Sequence, residues 1–302
     1  MVQLMLYARQ KTLLALLNAF GGSLNSLDFQ KLLFLFCQEQ PSTRSYEFVP
    51  YRYGGFSFTS YTDRRRLIAQ GLLTDEERLW ALTKAGQRSA VVAPSVRKDL
   101  AAFARRYEKL RGDALVVETY RRFPYYATRS EMAERLFRND EGGMAAIRAA
   151  RPQPAQAGIC TIGYEGRSLE AYLNQLLVAG ISLLCDVRRN PLSRKYGFSK
   201  GTLAHACEGV GIRYEHLPEL GIASEERRGL DSPSAFELLF SAYRRDTLPA
   251  QQEVLTRIRD WVDQGERVAL TCFEAHAQQC HRHCVADALQ EQFGDSFAPT
   301  HL

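Results

Sequence analysis

No apolar run in the 302-residue chain approaches the ~20 residues that a membrane-crossing helix requires. The first twenty residues are interrupted by Arg9, Gln10 and Lys11, where a signal peptide needs an unbroken apolar core, so a cytoplasmic location is expected. The seven cysteines are odd in number and lack the dense spacing of a secreted disulfide scaffold. Reduced thiols and no disulfides follow. Internal repeats and low-complexity tracts are missing, and the glycines match neither the dinucleotide fingerprint nor the P-loop. With 45% hydrophobic and 24% charged residues, disorder is excluded as well.

The length suggests two domains, and the charge supports that division. Residues 1–150 carry 23 Lys+Arg against 15 Asp+Glu, a net of +8, whereas residues 151–302 carry 16 against 19, a net of −3. Eighteen of the 23 are arginines, and Arg64, Arg65 and Arg66 are consecutive, which suits contact with phosphate or guanine edges. A solvated helix face is the bland alternative. "AAIRAARPQPAQAG", rich in Ala, Pro and Gln, reads as a linker near 149–157 between domains at 1–148 and 158–302.

In the first half, periodicity predicts helices over 9–20 and 27–38, with Ser26 available as a cap. "YEFVPYRYGGFS" reads as strand and turn, "TSYTDRRRLIAQGLL" as a third, basic helix ended by Gly71, and "RLWALTKAGQ" as a hairpin-like wing. Val96, Leu100, Phe103, Tyr107 and Leu110 place a further helical face at steps of three and four. Helices followed by a wing make a winged helix-turn-helix the expectation. The order "KLLFLF", "YEFVPYRYGGFS", "LIAQGLL", "ALTKAGQ" resembles the Panacea-type antitoxin domain over about residues 7–90. That resemblance implies a module that binds DNA or protein.

The second half alternates strand and helix: "GICTIGY", "SLEAYLNQLLVAG", "ISLLCDV", "GTLAHACEGVG", "IRYEHL", "RVALTCF", "CHRHCVADALQEQFG". This predicts an α/β, Rossmann-like domain with a parallel sheet. Ligands in such sheets lie beyond the carboxyl ends of the strands. Those ends carry Gly163, Tyr164, Gly166, Arg167 and Ser168; Asp186, Arg188, Ser193 and Arg194; His216 and Glu219; and Cys272 with Glu274.

Four blocks, "TIGYEGRSLEAYLNQL", "LLCDVRRNPLSRKYGFSK", "GIRYEHLPELG" and "VALTCFEAHAQQCHRHCVADAL", resemble the domain-of-unknown-function 488 family over about 158–302. Position by position, the resemblance points to Gly163, Arg167, Ser168, Asp186, Arg188, Pro191, Ser193, Arg194, Tyr214, His216, Cys272, Glu274, Cys280, His281 and Arg282. It implies no particular reaction.

The chemistry of the blocks is read separately. "GYEGRS" is a strand-to-helix turn whose amides can face an anion, or a tight turn with Ser168 as helix cap. In "DVRRNPLSRKYG", Asp186 could act as a base while Arg188 and Arg194 clamp phosphate; an Asp–Arg pair that holds the loop is the structural alternative. "CFEAHAQQCHRHC" departs from the paired spacing of structural zinc sites, with Cys280 and Cys284 on one helical face and His281 pointing elsewhere. No metal and no cofactor are therefore expected. Cys280 is instead placed at a helix N-terminus beside His281 and Arg282, which would favour its thiolate. The resulting expectation is an enzyme acting on nucleic acid, a nucleotide or a modified base, with DNA bound by Arg64, Arg65 and Arg66. Asp186, Glu274, Cys280, His281 and His216 would be catalytic, and Gly163, Tyr164, Arg167, Ser168, Arg188, Ser193, Arg194, Tyr214 and Arg282 would hold substrate. The alternative is a non-catalytic regulator that senses a phosphorylated ligand, redox state or partner. DNA or a nucleotide is the expected partner, with a homodimer allowed.

Overall fold

A computed structural model describes residues 5–40, 45–223, 225–226 and 232–302. The chain divides into two units, Met1–Arg151 and Pro152–Leu302, and each is taken by itself.

The first unit is built on helices α1 (Ala8–Ala19) and α2 (Ser26–Glu39), joined by strand β1 (Ser23–Asn25). Ten of the fourteen α2 residues are buried, as expected of a helix that is apolar on nearly every side. Its cap is Asn25, whose side chain accepts from the Asp28 amide at 2.8 Å. Ser26, expected to cap, is the first helical residue instead. Strands β2 (Val49–Tyr51) and β3 (Gly54–Phe56) form a hairpin, followed by α3 (Phe58–Ala69). Strand β4 (Leu79–Ala81) then pairs antiparallel with β1.

The wing expected over 78–87 stops there. Thr83 accepts from the Gly86 amide at 3.0 Å and starts helix α4 (Lys84–Ser89). Helices α5 (Pro94–Arg106), α6 (Gly112–Arg122), α7 (Ala133–Leu136) and α8 (Glu141–Ala149) complete the unit. Leu100, Phe103 and Tyr107 lie in the main core, with Val96 and Leu110 packed against it.

Two polar groups in this unit are buried at a cost. Asp63 accepts from Arg9 Nε at 2.6 Å, Gln10 Nε2 at 2.9 Å and the Tyr46 hydroxyl at 3.0 Å, tying α1 to α3. Lys31 is buried with its ammonium donating to the Gly55 carbonyl at 3.1 Å, and burial lowers its pKa to about 7.

The second unit runs β5 (Gly158–Gly163), α9 (Leu169–Val178), β6 (Leu183–Asp186), α10 (Lys200–Gly209), β7 (Arg213–His216), α11 (Pro233–Ala242), α12 (Gln252–Asp263), β8 (Arg267–Cys272), α13 (Arg282–Phe293) and β9 (Thr300–His301). All five strands are parallel, in the order β7-β6-β8-β5-β9. This is the expected Rossmann-like α/β fold, with β8 inserted between β5 and β6. Alternation splits the sheet: Leu183, Cys185, Leu270 and Cys272 pack with Leu255 and Ile258 of α12 and Cys284 and Val285 of α13. On the other face, Tyr172 of α9 donates to the Thr271 hydroxyl at 2.7 Å. Among the described residues, no helix is long and apolar enough to cross a membrane.

Candidate functional site

With β8 inserted between β5 and β6, four strand ends come into register. Gly163 stands opposite Cys272, Asp186 opposite Thr271, and His216 opposite Asp186. Everything that follows these residues in sequence therefore emerges along one edge of the sheet, where α/β folds place ligands.

The loops leaving β5 and β8 are bound to each other. Tyr164 and Glu165 amides donate to the Cys272 and Phe273 carbonyls at 3.3 and 2.9 Å, and the Ala275 amide donates to the Glu165 carboxylate at 3.0 Å. Gly163 is required by this approach, because a Cβ there would lie 1.8 Å from the Glu274 carbonyl oxygen. Arg282, expected to bind substrate, is buried and holds the β8 loop, donating to the Glu274 and Ala275 carbonyls at 2.6 and 3.0 Å. Ser168 caps α9 through the Ala171 amide at 3.0 Å, and Arg167 donates to Gln175 and to the Leu302 carbonyl at 3.4 Å. Both are turned to structure.

After β6, Asp186 is fully buried and saturated. It accepts from the Arg188 amide at 3.1 Å, from Arg188 Nε at 2.8 Å and Nη2, and from the Tyr214 hydroxyl at 2.6 Å. Arg188 Nη1 donates onward to the Tyr164 hydroxyl at 2.9 Å and the Phe198 carbonyl at 2.8 Å. Burial by itself would lower the Arg188 pKa, but its bonds to Asp186 hold it above the ordinary arginine value. The Tyr214 phenol is raised by burial and by the Asp186 charge. Asp186 thus anchors Arg188, and its carboxylate, expected as a base, is buried and taken up by these four bonds. His216 is held in the same loop system, its Nε2–H donating to the Arg188 carbonyl at 2.9 Å and its Nδ1 accepting from Lys200 Nζ at 3.2 Å.

Between the loops lies a cavity of about 320 Å³, lined by Tyr164, Arg188, Arg189, Asn190, Leu192, Ser193, Arg194, Ile222, Cys272, Phe273 and Glu274. Of the residues expected from sequence, it gathers Tyr164, Arg188, Ser193, Arg194, Cys272 and Glu274. Arg189, Asn190 and Phe273 were not anticipated as members of the site; the first two follow Arg188 directly, and Phe273 follows Cys272. Arg189 and Arg194 are exposed, and no carboxylate among the described residues pairs with either. Lys195 stays outside the lining, donating to the Tyr164 carbonyl at 2.8 Å.

Residues 168–289 match the family model described as Domain of unknown function DUF488. The second unit carries a DUF488 domain. Searches of curated proteins and of solved structures gave no match to the chain.

The thiols of the segment "CFEAHAQQCHRHC" differ from expectation. Cys280 is not within the helix: α13 begins at Arg282, and Cys280 is buried with its pKa raised, first by burial and then by the neighbouring Cys272 thiol. Burial thus works against the thiolate expected of Cys280. His281 does not point away from the cysteines. Its Nδ1 lies 3.9 Å from both Cys272 Sγ and Cys280 Sγ, and its Nε2 lies 3.0 Å from the Val187 carbonyl. Cys284 is apart from this group, its thiol nearest His283.

In the first unit the arginine run divides. Arg64 is buried, donating to the Glu76 carbonyl and to the Leu79 carbonyl at 3.1 Å, with its guanidinium 5.4 Å from the Trp80 ring centre. It holds the β4 segment and is unavailable to DNA, contrary to expectation. Arg65 and Arg66 are exposed. Arg9, Arg52, Arg106, Arg121, Arg122 and Arg135 are paired with carboxylates of the same unit, which reduces the free positive surface that the net charge suggests.

Proposed function

We propose that the DUF488 domain binds a phosphate-bearing ligand of nucleotide class in the cavity at the carboxyl ends of β5, β6 and β8. The observation that carries this reading is the pair of exposed guanidinium groups, Arg189 and Arg194, on one wall of a 320 Å³ cavity; among the described residues neither meets a carboxylate, and Arg189 has only a 3.4 Å bond to the Pro218 carbonyl. Guanidinium forks suit phosphate because two N–H groups can donate in parallel. A volume of this size admits a small ligand. The Asp186–Arg188–Tyr164 chain supports the reading by fixing the start of the arginine loop before any ligand arrives.

Catalysis on that ligand is the second reading, and Glu274 favours it. It is the acid of the cavity lining, opposite the arginine loop, and so the residue best placed to move a proton. Cys280 and His281 do not line the cavity, and His216 is engaged by the loop. For the first unit the proposal is contact with nucleic acid through Arg65 and Arg66 on α3, in a winged-helix-like arrangement. This rests on their exposure and on the net charge of residues 1–150.

Calorimetric titration of the full chain with inorganic phosphate, a nucleoside and its 5′-monophosphate tests the cavity reading. Binding of the monophosphate, weaker binding of phosphate and none of the bare nucleoside is the expected pattern. Equal binding of nucleoside and nucleotide would remove the role given to the arginines.

A further inference from the structure

We propose that Cys272, Cys280 and His281 bind a zinc ion, an assignment opposite to the one their spacing in sequence suggests. Their three ligand atoms lie within 4.8 Å of one another, with both sulfur–nitrogen distances at 3.9 Å. A tetrahedral zinc with its usual bond lengths asks for about 3.6 Å between sulfur and nitrogen and about 3.8 Å between sulfurs. Both sulfur–nitrogen distances are therefore close to the required value before any ion enters, and the sulfurs lie within 4.8 Å of each other.

The histidine is also oriented for a metal. A carbonyl can only accept, so the 3.0 Å contact between Nε2 and the Val187 oxygen assigns the ring proton to Nε2. In the neutral ring the Nδ1 lone pair then faces the two thiols. Metal-bound histidines are held in this way, with the distal N–H given to a carbonyl or carboxylate that fixes tautomer and angle.

Charge balance points the same way. Binding displaces one proton from each thiol to solvent, and two thiolates then cancel the charge of Zn²⁺. A neutral centre suits its place, since Cys272 and Cys280 belong to the apolar cluster under α12 and α13, and the Tyr243 ring lies 5.8 Å from the His281 ring. Two thiolates and an imidazole also favour zinc over the hard cations magnesium and calcium.

Among the described residues, no further His, Cys, Asp or Glu joins the three. With three ligands among the described residues a fourth position stays open, as in catalytic zinc sites. Cys272 belongs both to the cluster and to the cavity lining. The assignment does not rest on what the cavity binds, and the titration above can fail without affecting it.

The test uses the full chain, produced in zinc-supplemented medium and purified under reducing conditions. Elemental analysis is expected to give stoichiometric zinc in the wild type and in Cys284→Ser, whose thiol lies outside the cluster, and a loss of at least about tenfold in Cys272→Ser and Cys280→Ser. Because a buried-cysteine variant can fail to fold, Co²⁺ is titrated into metal-stripped wild-type protein as an independent arm. A thiolate-to-cobalt charge-transfer band with the intensity of a tetrahedral site is the expected result. Substoichiometric zinc together with no such band, or equal zinc in all four proteins, overturns the proposal.

Discussion

The Arg188 guanidinium lies against the Asp186 carboxylate with Nε donating to Oδ1 at 2.8 Å and Nη2 to Oδ2, and both residues are buried. The same carboxylate takes the Arg188 amide and the Tyr214 hydroxyl. Such a pair repays its desolvation only while it is complete. Asp186→Asn is therefore expected to destabilise the chain by about 3–5 kcal/mol, the usual cost of stranding a buried charge. Chemical denaturation measures it. A variant of wild-type stability that lost only turnover would restore Asp186 as a proton carrier.

Arg194 should behave in the opposite way. It is exposed and unpaired among the described residues, so Arg194→Ala should leave stability within about 0.5 kcal/mol. Affinity for a nucleoside monophosphate should fall by about tenfold or more, as for loss of one charge-assisted bond. Unfolding curves and calorimetry on the same preparation separate the two effects.

The consecutive arginines of α3 should split by mechanism. Arg64→Ala removes donors from two backbone carbonyls and should cost about 1–3 kcal/mol of stability. Arg65→Ala and Arg66→Ala should be nearly neutral for folding and should each lower the salt dependence of DNA binding by about one unit of slope. Identical DNA retention of the wild type and the double variant at low salt would remove the nucleic-acid role of this face.

Little of that division was visible beforehand. A sequence shows that arginines are present but not whether backbone carbonyls have already taken them, as they have Arg64 and Arg282. What was legible came from strand ends: apolar runs located β5, β6 and β8, and the parallel-sheet rule placed their carboxyl ends together, so Arg188, Arg194, Cys272 and Glu274 converge as expected. Strand β9 was missed because two residues carry no periodicity and exist only by pairing with β5. The Cys272–Cys280–His281 cluster was missed for a related reason. Spacing rules read ligand pairs within one turn, whereas Cys272 ends a strand and the other two close the loop that follows it. Thr83 at the start of α4 was a readable cap, obscured by the expectation of a wing.

Lys31 gives a pH signature. Its folded pKa of about 7 lies below its unfolded value, so between those two values the unfolded chain binds the extra proton. Stability from this group therefore rises as pH increases above about 7 and is lowest when the lysine is charged in both states. Relative to the wild type, Lys31→Met should be stabilised by a few kcal/mol near neutrality, and that advantage should shrink toward about pH 10. Urea midpoints of the two proteins across this range provide the comparison; a constant difference would mean that the buried ammonium is not destabilising.

The most direct test of the account is a crystal structure of the full chain grown with a nucleoside monophosphate. The account predicts phosphate density in the cavity between the β6 and β8 loops, within hydrogen-bond reach of the Arg194 guanidinium, with the Asp186–Arg188 pair intact. An empty cavity at saturating ligand, or phosphate bound elsewhere on the second unit, would contradict it.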